Sequence, residues 1–168
     1  MKLIIALFIV VLNMSLAAGT ANAEEEALFS SQSLTPETAM TAAMAALKKC
    51  RSEGFQVAVA VVDRMGILQA LIRDRYAGAH TPDTAKGKAW TAASFRSNTT
   101  NMVDLTQSGQ PQSGVRHVPG ALMIGGGLII EAAGSLVGAI GVSGAPGGEF
   151  DDLCAASGIE AIEDLIAF

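Results

Sequence analysis

Two short apolar runs joined by a glycine turn constrain this chain more than any other feature. Phe55 to Val62 is rich in β-branched residues, breaks at Asp63-Arg64-Met65-Gly66, and resumes as a second apolar run from Ile67 to Arg73. Runs of this length around a glycine-containing turn predict a β-hairpin. Their almost unbroken apolar character predicts burial on both faces, by helices on one side and by a second subunit on the other.

Helical signals bracket the hairpin. Before it, Thr35-Pro36-Glu37 offers a capping hydroxyl, a proline preset for the first turn and an acid at the positive dipole end, so a helix is expected over 36–53 with Gly54 as its stop. After it, Thr81-Pro82-Asp83 repeats that pattern and opens a helix to Phe95. Thr99 or Thr100 then caps a short helix through Leu105, and Gln107 to Gly114 reads as an exposed loop.

Three further strands are expected over 121–124, 128–132 and 136–142, the first two joined by a tight Gly125-Gly126-Gly127 turn. Ser143 to Gly148 bends into a last helix, with Glu149, Asp151 and Asp152 at its positive end. The order αββααβββα, with hairpins joining most strands, predicts an α+β domain: one five-stranded antiparallel sheet flanked by helices.

The amino terminus must be judged apart from this domain. Lys2, ten apolar residues from Leu3 to Leu12, and Ala21-Asn22-Ala23 match the three parts of a secretory signal peptide, with cleavage after Ala23. Ten apolar residues fall well short of the roughly 20 that span a bilayer as a helix. The expected organisation is therefore a signal peptide at 1–23, a flexible leader at 24–34 and the domain at 35–168, with the protein periplasmic or secreted and not stably inserted in a membrane.

Charge narrows the partners. The chain carries a formal net charge of −5, and loss of Lys2 with the signal peptide makes the mature balance one unit more acidic. Such a surface repels phosphate backbones, so nucleic acid is not an expected partner. Export would expose Cys50 and Cys154 to oxidising conditions, where they form either one intramolecular bridge or two buried thiols. A bridge would close a loop of about 100 residues, worth on the order of 4 to 5 kcal/mol in the chain-entropy model.

Several chemistries lack their residues. The glycines of 138–147 form neither G-x-G-x-x-G nor a phosphate-binding P-loop, and no G-x-S-x-G elbow frames Ser143. Two histidines and two cysteines, all distant in sequence, give no zinc-site spacing. A single axial ligand to haem asks for less: one imidazole or phenolate, an apolar slot and donors for two propionates. Arg73 to Phe95 could supply these locally. His80 is the first candidate ligand for the metal, because the positive end of the following helix disfavours imidazolium and leaves a lone pair available. Tyr76 is an alternative ligand, and Arg73, Arg75, Lys86 and Lys88 are candidate propionate donors. His117, in Arg116-His117-Val118-Pro119-Gly120, is a second candidate histidine. For each of these the plain alternative is a surface cation or a loop residue bonded to backbone, and Trp90 and Phe95 read first as core packing.

Taken together, Ala58-Val59-Ala60-Val61-Val62-Asp63-x-x-Gly66, Lys86-Gly87-Lys88-Ala89-Trp90-Thr91-Ala92-Ala93-Ser94-Phe95, Gly125-Gly126-Gly127 and Val137-Gly138-Ala139-Ile140-Gly141-Val142-Ser143-Gly144 resemble the GlcG/HbpS-like family, with its PduO carboxy-terminal relatives, from about Thr35 to Leu165. The resemblance implies a five-stranded antiparallel sheet, assembly into homo-oligomers, haem binding in some members, and a ligand role for the histidine in Ala77-Gly78-Ala79-His80-Thr81. Two departures stand out: Ala79 replaces a proline common before this histidine, which predicts a more mobile loop, and Ile129-Ile130 replaces Pro-Ile.

The reading that results is an exported haem-binding protein, storing, scavenging or sensing haem, and a binder rather than an enzyme. One rival is an enzyme or accessory factor of glycolate- or diol-type metabolism, acting on a small molecule with Arg73, Lys88 and Ser143 grouped at a cleft. The other is an oligomeric scaffold without a haem role. N-terminal sequencing of the exported protein should begin at Glu24; retention of Met1 in the exported fraction would contradict the cleavage assignment.

Overall fold

The structure, a computed structural model, describes residues 27–167; the expected signal peptide and the first part of the leader lie outside them. Residues from Ser31 onward form one unit, and 27–30 belong to a separate one. Four strands make a single antiparallel sheet in the order β2-β1-β4-β3: β1 Ala58–Asp63, β2 Leu68–Arg73, β3 Gly127–Ala132 and β4 Ser135–Ser143. The expected hairpin is present, with Ala58 opposite Arg73 and Ala60 opposite Leu71.

Side-chain alternation along β1 decides what covers each face. Val59 and Val61 enter the larger core with α1 (Pro36–Ser52) and α4 (Gly148–Glu160), whereas Ala58, Ala60 and Val62 meet the alanines of α2 (Thr81–Phe95). Small side chains on the second face bring α2 close to the sheet. The limit is reached at Gly141, where an added Cβ would run into the carbonyl oxygen of Ala85. β1 is thus buried on both faces by helices of its own chain. β2 departs from the expectation, since Leu68 and Leu71 remain exposed on this edge strand.

The expected fifth strand is absent. Residues 121–124 cross α2, with Leu122 N–H donating to Thr91 Oγ1 at 2.9 Å, and the triple glycine leads directly into β3 instead of turning a hairpin. The outer edge of β3 is already occupied. Gly127 N–H donates to Thr99 Oγ1 at 2.9 Å and Ile129 N–H to Asn98 Oδ1 at 3.0 Å, so the start of α3 (Thr99–Leu105) satisfies the groups another strand would need.

Other boundaries shift for local reasons. Ser33 and Leu34 are not flexible leader: Leu34 N–H donates to Val137 O at 3.1 Å and its side chain joins the core beside Ala39, an apolar pair flanking the Thr35 cap. The last helix ends at Glu160, and a short α5, Glu163–Ile166, follows. A 3₁₀ turn at Ser113–His117 closes the expected loop. Among the described residues no helix is long and apolar enough to cross a membrane.

Cys50 in the last turn of α1 is bonded to Cys154 in α4, with Cα atoms 5.4 Å apart. The two helices that cover one face are therefore covalently joined. Replacing both cysteines by alanine should lower unfolding stability by on the order of 4 kcal/mol, by the loop-entropy argument, measured as a fall in the denaturant midpoint, with a steeper slope because the unfolded chain is no longer cross-linked.

Candidate functional site

The segment between β2 and α2 carries Tyr76 and His80, and its shape is set by charge. Asp74, at its start, is 1% exposed. Its carboxylate accepts from Arg51 Nε at 2.7 Å, Arg51 Nη2 at 2.8 Å and the Arg75 amide at 2.8 Å. The Arg51 guanidinium in particular holds the Asp74 carboxyl down to about 2. Arg73 Nε donates to Ala77 O at 2.9 Å, and Thr81 donates to Gly78 O through its amide at 3.0 Å and its hydroxyl at 2.8 Å.

These bonds settle how α2 begins. Thr81, expected as the cap, is the first helical residue, and its hydroxyl is spent on Gly78. His80 takes the cap position with no side-chain capping bond, while its carbonyl accepts from Thr84 N–H at 3.1 Å and Thr84 Oγ1 at 3.0 Å. The imidazole lies over Gly78, where an added Cβ would come within 2.7 Å of Cε1 and 2.9 Å of Nδ1. The imidazole makes no capping bond, and the ring remains exposed.

His80 lines a cleft of about 490 Å³ together with Thr84, Lys88, Ile124, Ser143 and Pro146. Its far wall is the loop from Ser143 to Gly148, held from beneath by a buried carboxylate. Asp151 accepts from Lys88 Nζ at 2.7 Å through Oδ2 and from the Ala145 amide at 3.1 Å through Oδ1. Lys88, 2% exposed, also donates to Val142 O at 2.9 Å. Burial pushes the Asp151 carboxyl up from its ordinary range, opposed by the Lys88 hydrogen bond and charge. Gly126, at φ +113°, leaves room for this pair: a Cβ there would stand 2.7 Å from Lys88 Nζ.

Of the residues expected at the site, His80 and Lys88 line one cleft. The Lys88 ammonium is spent inside on Asp151 and Val142. Arg73 is likewise turned back on Ala77. Tyr76 is 81% exposed on the same loop but does not line the cleft. His117 ends the 3₁₀ turn, exposed and away from the lining residues. Trp90, half-buried, lines a separate cleft of about 560 Å³ with Asp83, Lys86 and Leu122.

Asp74, Asp151 and Arg51 were not anticipated as site residues. Arg73 and Arg75 read as candidate propionate donors with Asp74 between them unremarked, and Asp151 reads as a dipole acid. The signal in retrospect is Lys88, a cation among alanines on the buried face of α2, which demands a buried carboxylate.

The donor set can be compared with what haem requires. The cleft offers one imidazole nitrogen not used in capping, and apolar contacts from Ile124, Ala145 and Pro146. Those parts fit an axial bond and the flank of a macrocycle. The one cation in its lining is neutralised, so propionates would be met by water or by cations outside the cleft.

The model of a family described as "Haem degrading protein HbpS-like" matches residues 34–160. Among solved structures, a double mutant of HbpS from Streptomyces reticuli shares 36% identity over 87% of this chain and 98% of its own, with a TM-score of 0.76. Protein ORFY of Klebsiella pneumoniae shares 29% identity over 80% of this chain and 94% of its own, with a TM-score of 0.78. A structure described as a PduOC:heme complex shares 29% identity over 77% of this chain and 95% of its own, with a TM-score of 0.73. No curated protein matches.

The Arg51–Asp74 contact generates a pH prediction. A carboxyl held at about 2 in the fold, against an ordinary 3.8, contributes stability that is complete above the ordinary value and is lost as pH falls toward 2. In acid-unfolding curves Asp74→Asn should lose that part of the acid limb and converge with the parent at the lowest pH.

Proposed function

The chain belongs to the HbpS-like family, and from that premise we propose that it is an exported haem-binding protein with His80 as axial ligand. The observation that carries this reading is the exposed His80 imidazole at the rim of a cleft, with no capping bond to hold it. The haem complex of the PduOC relative supports the choice of group.

When bound, haem supplies an iron centre that accepts a nitrogen donor. This chain's residues do the rest. His80 presents the donor, Ile124, Ala145 and Pro146 provide apolar flank, and Lys88 with Asp151 keeps the far wall in place. Tyr76, on the same loop, is the alternative ligand. Storage, scavenging or sensing suits a site whose one charged pair is locked away from a bound molecule. The rival reading, turnover of a small organic acid, groups Arg73, Lys88 and Ser143 at a cleft; Lys88 and Ser143 do line one together, but Lys88 is bonded to Asp151 and Val142, and Arg73 to Ala77.

We extend the proposal to export through the signal peptide and to self-association. Supporting the latter, Met65, Ile67, Leu68 and Leu71 are exposed along β2 and the turn before it.

Titration of residues 24–168 with hemin is the test. The parent should give a shifted Soret band and quench the fluorescence of Trp90, the chain's one tryptophan, whereas His80→Ala should lose the shift. An unchanged shift in the variant would overturn the ligand assignment, and no shift in the parent would overturn haem binding.

A further inference from the structure

We propose that Asp74, clamped by Arg51, is a positioning residue that fixes the His80 imidazole at its cleft. The inference rests on the haem-binding reading for its consequence and on geometry for its substance. His80 has no hydrogen bond from its own side chain to hold its cap position, and Ala79 before it lacks the restricted φ of a proline. Near His80 the loop is held by the two Thr81 bonds to Gly78 O, and the side-chain restraint comes from its other end.

That end is anchored three ways. Asp74 N–H donates to Val57 O at 2.9 Å, joining the loop to the residue just before β1. Its carboxylate takes both donors of the Arg51 fork, a bidentate geometry that fixes orientation as well as distance. Its carbonyl accepts from Ala77 N–H at 3.2 Å, and Ala77 O in turn receives Arg73 Nε. From Ala77 the chain reaches His80 in three residues, with Gly78 O already bonded to Thr81.

The anchor itself is rigid. Arg51 lies in the last turn of α1, next to Cys50, which is bonded to Cys154 of α4. The loop bearing His80 is therefore tied to the helix layer on the opposite face of the sheet from α2. Asp74 is buried and does not line the cleft, so its effect on a ligand is transmitted through the loop.

The test pairs Asp74→Asn with Arg51→Lys, which keeps the charge but loses the fork. Amide hydrogen exchange in the ligand-free variants reads the loop directly, with residues of β1 and β4 as the control for global folding. Asp74→Asn should speed exchange across 75–81 while β1 and β4 stay protected, and should weaken hemin binding and give a Soret band unlike the parent's. Arg51→Lys should fall between. Parent-like exchange in 75–81 in both variants would overturn the proposal, as would a freed loop that leaves hemin affinity and the Soret band unchanged. If the parent itself fails to bind hemin, the haem reading falls, and the exchange data still decide whether Asp74 positions His80.

Discussion

The carboxylate of Asp151 holds together parts of the chain that are far apart in sequence. Through one oxygen it neutralises Lys88 inside the α2 face, and through the other it fixes the loop after β4. Removing either charge would leave the other buried and unpaired, at a cost of about 3–5 kcal/mol. The neighbouring Asp152 extends the arrangement, accepting from Gly126 N–H at 2.6 Å and from Thr100 Oγ1. The first turn of α4 thus gathers α2, α3, the entry to β3 and the exit from β4 around one end of the sheet.

The same end carries the cleft. One wall depends on Asp151 and the other on Asp74, and both walls lead back to the helix pair joined by Cys50 and Cys154. Between them stands an imidazole that the fold has not used for its own stability. The buried polar groups Lys88, Thr91 and Thr99 are spent on partners within the chain, whereas the exposed imidazole at the cleft is free to meet a ligand.

Much of the fold was legible because local physics dictated it. Alternating alanine and valine in β1 required a sheet covered on both sides, and the two Thr-Pro-acid sequences marked both long helices. The fifth strand was misread because its exclusion depends on Asn98 and Thr99, whose side chains reach β3 only in the folded chain. That His80 stands immediately before a helix was legible from Thr81-Pro82-Asp83. The role of Lys88 was not, since its partner lies 63 residues away and no short spacing announces such a pair. Arg51 and Asp74 were hidden for the same reason: alternating surface charges and a buried fork look alike until the third dimension is given.

The central claim is that one particular imidazole is available to bind iron, and the chain has only two, His80 and His117. Electron paramagnetic resonance of the ferric haem complex, prepared with ¹⁵N-labelled histidine, reads that bond directly. The account predicts hyperfine coupling to a histidine nitrogen that survives His117→Ala and vanishes with His80→Ala. Coupling that follows His117, or a complex without any histidine coupling, would contradict it.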